Sequence, residues 1–175
     1  YRPVLREALK ALRGAPASAE MQETMLDSIM DAEGMGRIVF SYDSFLCVPE
    51  KAVGEGRLYP MAGEKTRWFP ALFPAADTAF AFAVRNPATF LPAVFARTEG
   101  LSFDAFLGAA APEDLSWAAM VARVRAGNPE VPLTVWCDED TPLIWPEVVA
   151  AVSGTARPET LGGLDDFLAT LMSPD

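Results

Sequence analysis

The sequence predicts an α/β fold with a mainly parallel sheet flanked by helices. Three short apolar runs, at residues 36–42, 78–84 and 132–136, are rich in β-branched or aromatic residues and are typical of strands. Segments with helical spacing of apolar residues separate these runs, which favours right-handed crossovers between parallel strands. The 175 residues, of which 51% are hydrophobic and 22% charged, suffice for one substantial core. We therefore expect residues 1–175 to form a single α/β domain.

The chain is predicted to begin with two helices. Residues 3–13 carry an apolar stripe, with Pro3 suited to the first turn and Gly14 to the end of the helix. A second helix is predicted over residues 19–32, with Ser18 as its N-cap. The inward positions of this second helix are Met21, Met25, Leu26, Ile29 and Met30. Both helices are expected to pack against the core.

The middle of the chain is predicted to contain two strands, a loop and a helix. Residues 36–42 are expected to form the first strand, because their aliphatic centre is β-branched and too short for a helix. The stretch 48–63 is rich in Gly and Pro, and we expect it to be a long loop of the kind that often forms a lid or a binding segment. A helix over 64–73, which Pro70 should kink or shorten, leads into the strand at 78–84. Because that strand is an uninterrupted apolar run, it is expected to be buried on both faces.

The remaining elements continue the alternation. One helix is predicted from Pro87 to about Arg97, and a shorter one from Ser102 to Gly108. The third strand, at 132–136, is followed by a carboxylate-rich turn at Asp138-Glu139-Asp140. A further helix is predicted before this strand, over residues 112–126, and two more are predicted after it, over 146–152 and 158–172.

Composition excludes several classes of function. The formal charge is −10, from 24 acidic and 14 basic residues, which argues against non-specific binding of nucleic acid because that needs a basic surface. The chain has no His, so Ser-His and Cys-His dyads and His-containing zinc sites are excluded. No apolar run approaches the ~20 residues needed to span a bilayer, and the first residues lack a signal pattern.

The cysteines and the two ends of the chain bear on its cellular context. Cys47 and Cys137 lie too far apart in sequence for a CxxC motif, and we expect both to be buried, reduced thiols; the alternative is a disulfide between them. The protein is therefore predicted to be cytoplasmic and to have no membrane partner. The chain begins at Tyr1 without a Met and stops just after a helical pattern, so we expect it to be a fragment of a longer protein.

Arg85-Asn86-Pro87 is the strongest candidate site. Arg85 follows an apolar strand, and open α/β sheets bind their ligands at the carboxyl ends of strands. A helix that begins at Pro87 would bring backbone amides, those of Asn86 and Ala88, beside the guanidinium. An arginine fork next to such amides suits a phosphate or a sulfate. The alternative is that Arg85 pairs with a carboxylate at the edge of the sheet.

Five segments within residues 36–155 form a pattern shared with a known family. They are Arg37-Ile-Val-Phe-Ser, Trp68-Phe-Pro-Ala-Leu-Phe-Pro, Ala81-Phe-Ala-Val-Arg-Asn-Pro-Ala-Thr-Phe-Leu-Pro, Ser102-Phe-Asp-Ala-Phe-Leu and Leu133-Thr-Val-Trp-Cys-Asp-Glu-Asp. Together they resemble the bacterial members of the sulfotransferase-like branch of the P-loop fold. The resemblance implies PAPS or its product PAP as cofactor and assigns Arg85 to the 3′-phosphate. It also implies transfer of sulfate to a hydroxyl or amine of a small-molecule or glycan acceptor.

Two features depart from the family pattern. Ala93 stands where the family has a serine that helps to hold the 3′-phosphate, and Ala93 has no hydroxyl to donate. The family's Gly-rich loop with Lys and Thr, which binds the 5′-phosphosulfate, would lie before Tyr1. Gly63-Glu-Lys65-Thr66 does not replace this loop, because Leu58 occupies the position of the second glycine, and we expect an ordinary helix N-terminus there. The chain by itself is therefore expected to be inactive.

Two acidic features offer further chemistry. Asp138-Glu139-Asp140 would gather Mg²⁺ for phosphoryl transfer, but consecutive side chains point in different directions, so a solvated turn or a helix cap is favoured. Asp43 is the candidate general base toward a sulfate acceptor, since the chain has no His. The favoured alternative is that Asp43 or Ser44 caps a turn.

These observations lead to three functional hypotheses. The first is a sulfotransferase-like domain in which Arg85, Asn86 and Ala88 bind the nucleotide and Asp43 acts as base. The second is a non-catalytic binding or scaffold domain of the same fold that has lost the donor site, which Ala93 favours. The third is a Mg²⁺-dependent enzyme of phosphoryl transfer that uses the acidic turn.

Overall fold

The computed structural model of the protein describes residues 1–32 and 34–172. Its helices are α1 (Arg2–Leu12), α2 (Ala19–Asp27), α3 (Ala62–Thr66), α4 (Trp68–Leu72), α5 (Pro87–Phe95), α6 (Phe103–Leu107), α7 (Trp117–Gly127), α8 (Thr141–Ser153) and α9 (Asp166–Ala169). Its strands are β1 (Val53–Gly54), β2 (Arg57–Leu58), β3 (Phe80–Val84) and β4 (Leu133–Cys137). The protein is thus mixed α/β, and within the described ranges no helix could span a lipid bilayer.

The two N-terminal helices are confirmed, although the second is shorter than predicted. Ser18 caps α2 as expected, since its hydroxyl accepts a hydrogen bond from the backbone N–H of Met21 at 3.2 Å. The helix ends at Asp27, where the hydroxyl of Ser28 donates to the carbonyl of Met25 at 2.8 Å and competes with helix continuation. The core around these helices consists of Leu5, Ala8, Ala17, Met25 and Leu72.

The strand predicted at residues 36–42 is wrong, because these residues pair with no other strand. The backbone N–H of Ser41 donates instead to the hydroxyl of Tyr1 at 3.2 Å. Phe40 stacks on Phe73, with ring centroids 6.1 Å apart. A β-branched sequence forms a strand only beside a neighbouring strand, so here its apolar side chains pack without a ladder.

The stretch 48–63 has more regular structure than the predicted loop. It contains a one-turn 3₁₀ helix and the small antiparallel pair β1–β2, which turns at Glu55 and Gly56 with positive φ angles of 51° and 70°. Leu58 in this hairpin is 0% exposed. The hairpin belongs to a core cluster of Val53, Leu58, Leu91, Phe106, Leu107, Ala110 and Leu115. Part of the stretch therefore builds the core.

Pro70 explains why the helix predicted over 64–73 is divided. The structure has two short helices here, α3 and α4, which meet at Arg67. Pro70 has no N–H to donate to the carbonyl of Thr66, four residues earlier, so a continuous α-helix would lack that bond. The predicted interruption by Pro70 is confirmed.

Strands β3 and β4 form a parallel pair, as the alternation of strands and helices predicts. Phe80 lies opposite Leu133, and Val84 lies opposite Cys137. Both strands therefore end at the same edge of the sheet. The parallel sheet is present, but in the described residues it has two strands, because residues 36–42 do not join it.

The expectation that the strand at 78–84 is buried on both faces is wrong. Phe80, Phe82 and Val84 are half-buried, whereas Ala81 and Ala83 on the other face are exposed. The phenylalanines pack against a cluster built from α3 and α7. This cover lies on the face of β3 that carries the phenylalanines, so the strand shows the alternation of a half-covered sheet.

The C-terminal half follows the predicted helices with different bounds. The helix predicted at 112–126 begins only at Trp117, where Ser116 caps it, and the helix predicted at 146–152 begins earlier as α8. The prediction of one continuous helix over 158–172 is wrong. It consists of a 3₁₀ turn and the short α9, separated by glycines of which Gly163 has a φ of 77°.

Helices α3 and α7 approach each other unusually closely. A Cβ added to Gly63 would lie 2.5 Å from the carbonyl oxygen of Arg123, and one added to Gly127 would collide with the carbonyl oxygen of Gly63. The buried hydroxyl of Thr66 accepts a hydrogen bond from the Asn128 amide at 2.8 Å and donates to the carbonyl of Ala62 at 2.7 Å. Two glycines thus allow the contact, and a satisfied buried polar pair fixes it.

We expect Gly127→Ala to destabilise the protein by about 1–3 kcal/mol, because the new methyl group meets rigid backbone rather than a flexible side chain. Urea unfolding followed by circular dichroism measures this change. Gly36→Ala is the matched control: a Cβ there meets nothing within 4 Å, so stability should change by less than about 1 kcal/mol. Equal effects of the two substitutions would contradict the close approach of α3 and α7.

Candidate functional site

The predicted site residue Arg85 lies at the carboxyl edge of the parallel sheet. It is exposed and directly follows β3. Its Nε donates to the hydroxyl of Thr89 at 3.1 Å, and its carbonyl oxygen accepts from the indole N–H of Trp117 at 2.6 Å. Among the described residues no carboxylate lies within ion-pair distance of the guanidinium. The backbone of Arg85 is therefore fixed from α7, and the two terminal nitrogens of its fork have no hydrogen-bond partner among the described residues.

The backbone amides predicted to assist Arg85 already have internal partners. Asn86 is the N-cap of α5, and its side-chain oxygen accepts from the N–H of Ala88 at 2.9 Å. The N–H of Asn86 donates to Oε1 of Glu139 at 2.7 Å. Pro87 has no N–H. Of the groups predicted to bind an anion here, the guanidinium of Arg85 is thus the one that keeps unpartnered donors within the described part of the chain.

Glu139 is the site residue that sequence reasoning did not assign. It lies in the acidic turn after β4 and reaches across the sheet edge to the end of β3. The N–H of Asn86 lowers the pKa of the Glu139 carboxyl, and the positive charge of Arg85 lowers it further. The predicted parallel pairing of the two strands could have indicated this contact. Two parallel strands that end at the same edge bring the residues that follow them close together.

The acidic turn itself is a one-turn 3₁₀ helix, Asp138–Asp140. In the part of the chain that the structure describes, no three acidic or thiol side chains are grouped in a way that suits a metal ion. Asp140 stands at the N-cap position of α8, but its side chain makes no capping hydrogen bond. Of the carboxylates in this turn, Glu139 is therefore the one that joins the turn to the end of β3, through its hydrogen bond from the Asn86 N–H.

Asp43, the predicted base, is held away from Arg85. Its Oδ2 forms an ion pair with Arg97 at 2.7 Å, and its Oδ1 accepts from the hydroxyl of Ser44 at 3.0 Å. Arg85 precedes the first residue of α5 and Arg97 follows its last residue, so the two arginines begin about 15 Å apart along the helix. Hydrogen bonding from Arg97 lowers the pKa of Asp43, which makes this carboxylate a weak proton acceptor.

The segment Gly63-Glu-Lys65-Thr66 is an ordinary part of helix α3, as predicted. The ammonium of Lys65 donates to the carbonyl of Leu46 at 2.7 Å. Thr66 is 1% exposed and bonded inside the α3–α7 contact. Both side chains thus serve contacts within the fold.

The cysteines differ from the expectation of two buried thiols. Both are free, but Cys47 is half-buried and Cys137 is exposed. Burial raises the pKa of Cys47 to about 11, so this thiol stays protonated at neutral pH. Cys137 is exposed because it ends β4 at the open edge of the sheet.

Comparison of the chain with known protein families, with curated proteins and with solved structures found no significant match. The assignment of a function therefore depends on the geometry around Arg85 and on the sequence resemblance.

We expect Arg97→Gln to raise the pKa of Asp43 toward its ordinary value of 3.8, because the largest cause of the shift is removed. The pH titration of the Asp43 carboxyl carbon, followed by NMR, measures this. Because the folded-state pKa is lowered, the pair contributes to stability above the ordinary value and loses its contribution as the pH falls through the folded value. Arg125→Gln is the control, and a shift of equal size in that variant would contradict the pairing.

Proposed function

We propose that this chain is a sulfotransferase-like nucleotide-binding domain in which Arg85 holds the 3′-phosphate of PAPS or PAP. The observation that carries the proposal is the exposed guanidinium of Arg85, which forms no ion pair among the described residues and lies at the carboxyl end of a parallel strand, just before a helix. This is the edge where α/β sheets bind nucleotides. A guanidinium fork matches a phosphate dianion in geometry and charge.

The fit to the nucleotide is limited to one of the predicted contacts. The fork of Arg85 is oriented by Thr89 and free at its terminal nitrogens, so it suits the phosphate. The amides of Asn86 and Ala88 do not, because Glu139 and the Asn86 side chain accept their hydrogen bonds. Ala93 adds no hydroxyl. Arg85 thus carries the binding in this proposal.

PAPS supplies the sulfuryl group, which would pass to a hydroxyl or amine of a small-molecule or glycan acceptor. The residues of this chain orient the nucleotide through Arg85, and Asp43 is too strongly held by Arg97 to serve as an efficient base. Charge stabilisation at the transferred group would come from a Gly-rich loop that the resemblance places before Tyr1. Without that loop we expect nucleotide binding but no sulfate transfer. A cytoplasmic location belongs to the same proposal, since two free thiols suit a reducing compartment.

A second candidate is a non-catalytic binding or scaffold domain of the same fold. The observation that favours it is the bond from the Asn86 N–H to Glu139, which places a carboxylate where a second anion contact would be. An internal carboxylate beside Arg85 opposes the approach of a phosphate through like-charge repulsion. The two candidates differ in whether the nucleotide binds at all.

We expect Arg85→Ala to weaken binding of adenosine 3′,5′-bisphosphate by at least about tenfold, the loss typical of a charge-assisted hydrogen bond. Isothermal titration calorimetry measures the affinity. Arg125→Ala removes the same charge from an exposed position on α7 and should leave the affinity within about twofold. If the nucleotide fails to bind even to a longer chain that includes a Gly-rich loop, the non-catalytic candidate replaces the first.

We expect Glu139→Gln to strengthen binding of the same nucleotide by about threefold to tenfold, because it removes a negative charge beside Arg85 and keeps the side-chain size. Asp138→Asn removes an equal charge from the same turn but from a side chain without a hydrogen-bond partner among the described residues. It should have the smaller effect. Binding that requires Mg²⁺ and is lost in Asp138→Asn would instead favour phosphoryl chemistry at the acidic turn.

A further inference from the structure

Helices α1 and α2 enclose an open groove of about 540 Å³ on the side of the molecule formed by the first thirty residues. The apolar side chains of its lining are Val4, Ala8, Ala11, Met21 and Met25, and the polar ones are Glu7, Ser18, Glu20 and Thr24. Ala8 and Met25 are buried at its floor, Val4 and Met21 are half-buried, and Ala11 is exposed. Two small residues on α1, one turn apart, leave room for the backbone of another helix to approach closely.

The α2 side of the rim of this groove is acidic. Glu7 of α1 and Glu20 of α2 line it. The sequence from residue 14 to 36 contains acidic residues but no Lys or Arg; the acidic residues are Glu20, Glu23, Asp27, Asp31 and Glu33. Among the described residues Glu7 pairs with Lys10 on its own helix, and no ion pair involves Glu20, Glu23 or Asp27. The α2 side of the rim therefore carries negative charge that nothing in the described fold neutralises.

Methionine is concentrated in the same region. The chain has seven Met, and four of them fall in the segment that contains α2: Met21, Met25, Met30 and Met35. Met35 is 59% exposed. Methionine side chains are flexible and polarizable, and they are common on surfaces that adapt to an incoming helix. An apolar, Met-containing groove with an acidic rim is complementary to one kind of helix.

We propose that the groove between α1 and α2 binds a cationic amphipathic helix of a partner protein. The apolar face of that helix would pack on Ala8, Ala11 and Met21, and Lys or Arg residues at its flank would meet Glu20. Charge complementarity selects this occupant, because an acidic or neutral helix would leave the α2 carboxylates unpaired or repelled. The proposal is independent of the nucleotide site at Arg85.

A second copy of the chain does not meet these requirements. The cations of α1 are Arg2, Arg6 and Lys10, and the apolar face of this helix is already buried in its own chain through Leu5 and Ala8. The partner is therefore a different helix with opposite charge.

The test uses three labelled synthetic helices of about 18 residues, each about 27 Å long, with the full 175-residue chain. One has Leu on one face and Lys on both flanks, the second has Glu in place of every Lys, and the third has the Leu and Lys residues scrambled. We expect fluorescence anisotropy to show binding of the first helix only, and the affinity to fall as salt is raised. The methionine methyl signals of Met21 and Met25 should shift in the NMR spectrum on addition of the first helix.

Two variants locate the binding. Glu20→Lys should weaken the binding of the Lys helix by at least about fivefold, whereas Glu113→Lys, with the same change in net charge on an exposed residue outside the groove, should change it less than about twofold. Ala11→Arg places a cation in the groove on an exposed helix position and should also weaken binding. Retained circular dichroism and unfolding midpoints show that each variant is folded.

Three results would overturn the proposal. The first is equal binding of the Glu helix or the scrambled helix, since neither has the required pattern of charge and apolar residues. The second is unchanged affinity in both Glu20→Lys and Ala11→Arg. The third is a shift of the Met21 and Met25 methyl signals with protein concentration alone, which would assign the groove to self-association.

Discussion

The close packing of α3 on α7 is the contact on which the rest of the described fold depends. Gly63 and Gly127 bring the two backbones together, and the hydrogen bond between Thr66 and Asn128 pairs the two polar side chains buried there. Val124 and Met120 of α7 then cover the half of the sheet that carries Phe80 and Phe82. A buried polar pair that is fully bonded costs little and fixes one relative position of the helices.

The same contact reaches the candidate site. Helix α7 begins with Trp117, whose indole N–H holds the carbonyl of Arg85. Trp117 also packs edge-on against Phe90 of α5, with ring centroids 4.8 Å apart. The strand end that bears Arg85 and the helix that follows it are thus positioned by one aromatic side chain. The geometry of the site is a consequence of helix packing, since the two-stranded sheet has little rigidity of its own.

Electrostatics at the sheet edge combine attraction and competition. Arg85 offers a free fork to an anion, while Glu139 supplies an internal carboxylate to the neighbouring amide. Both groups are exposed, so solvent screens their interaction and neither dominates. The two proposed functions differ in which charge prevails: attraction of a phosphate by Arg85 favours the nucleotide-binding domain, and its repulsion by Glu139 favours the scaffold. Away from the site, the net charge of −10 is unevenly distributed, with cations concentrated on α1 and carboxylates on the α2 side.

The sequence by itself determined the features that depend on local chemistry. The Ser18 cap, the interruption at Pro70, the strands at Phe80–Val84 and Leu133–Cys137 and the helix that begins at Pro87 all follow from short-range preferences of side chain and backbone. The position of Arg85 at a strand end followed from the same patterns. Tertiary structure decided what needs a partner distant in the chain. Residues 36–42 have strand-forming side chains but no strand beside them. Glu139 accepts a hydrogen bond from the Asn86 N–H, which was predicted to bind an anion, because the parallel pairing of β3 and β4 brings their ends together. Pairing and burial are properties of neighbours, and a single segment does not specify its neighbours.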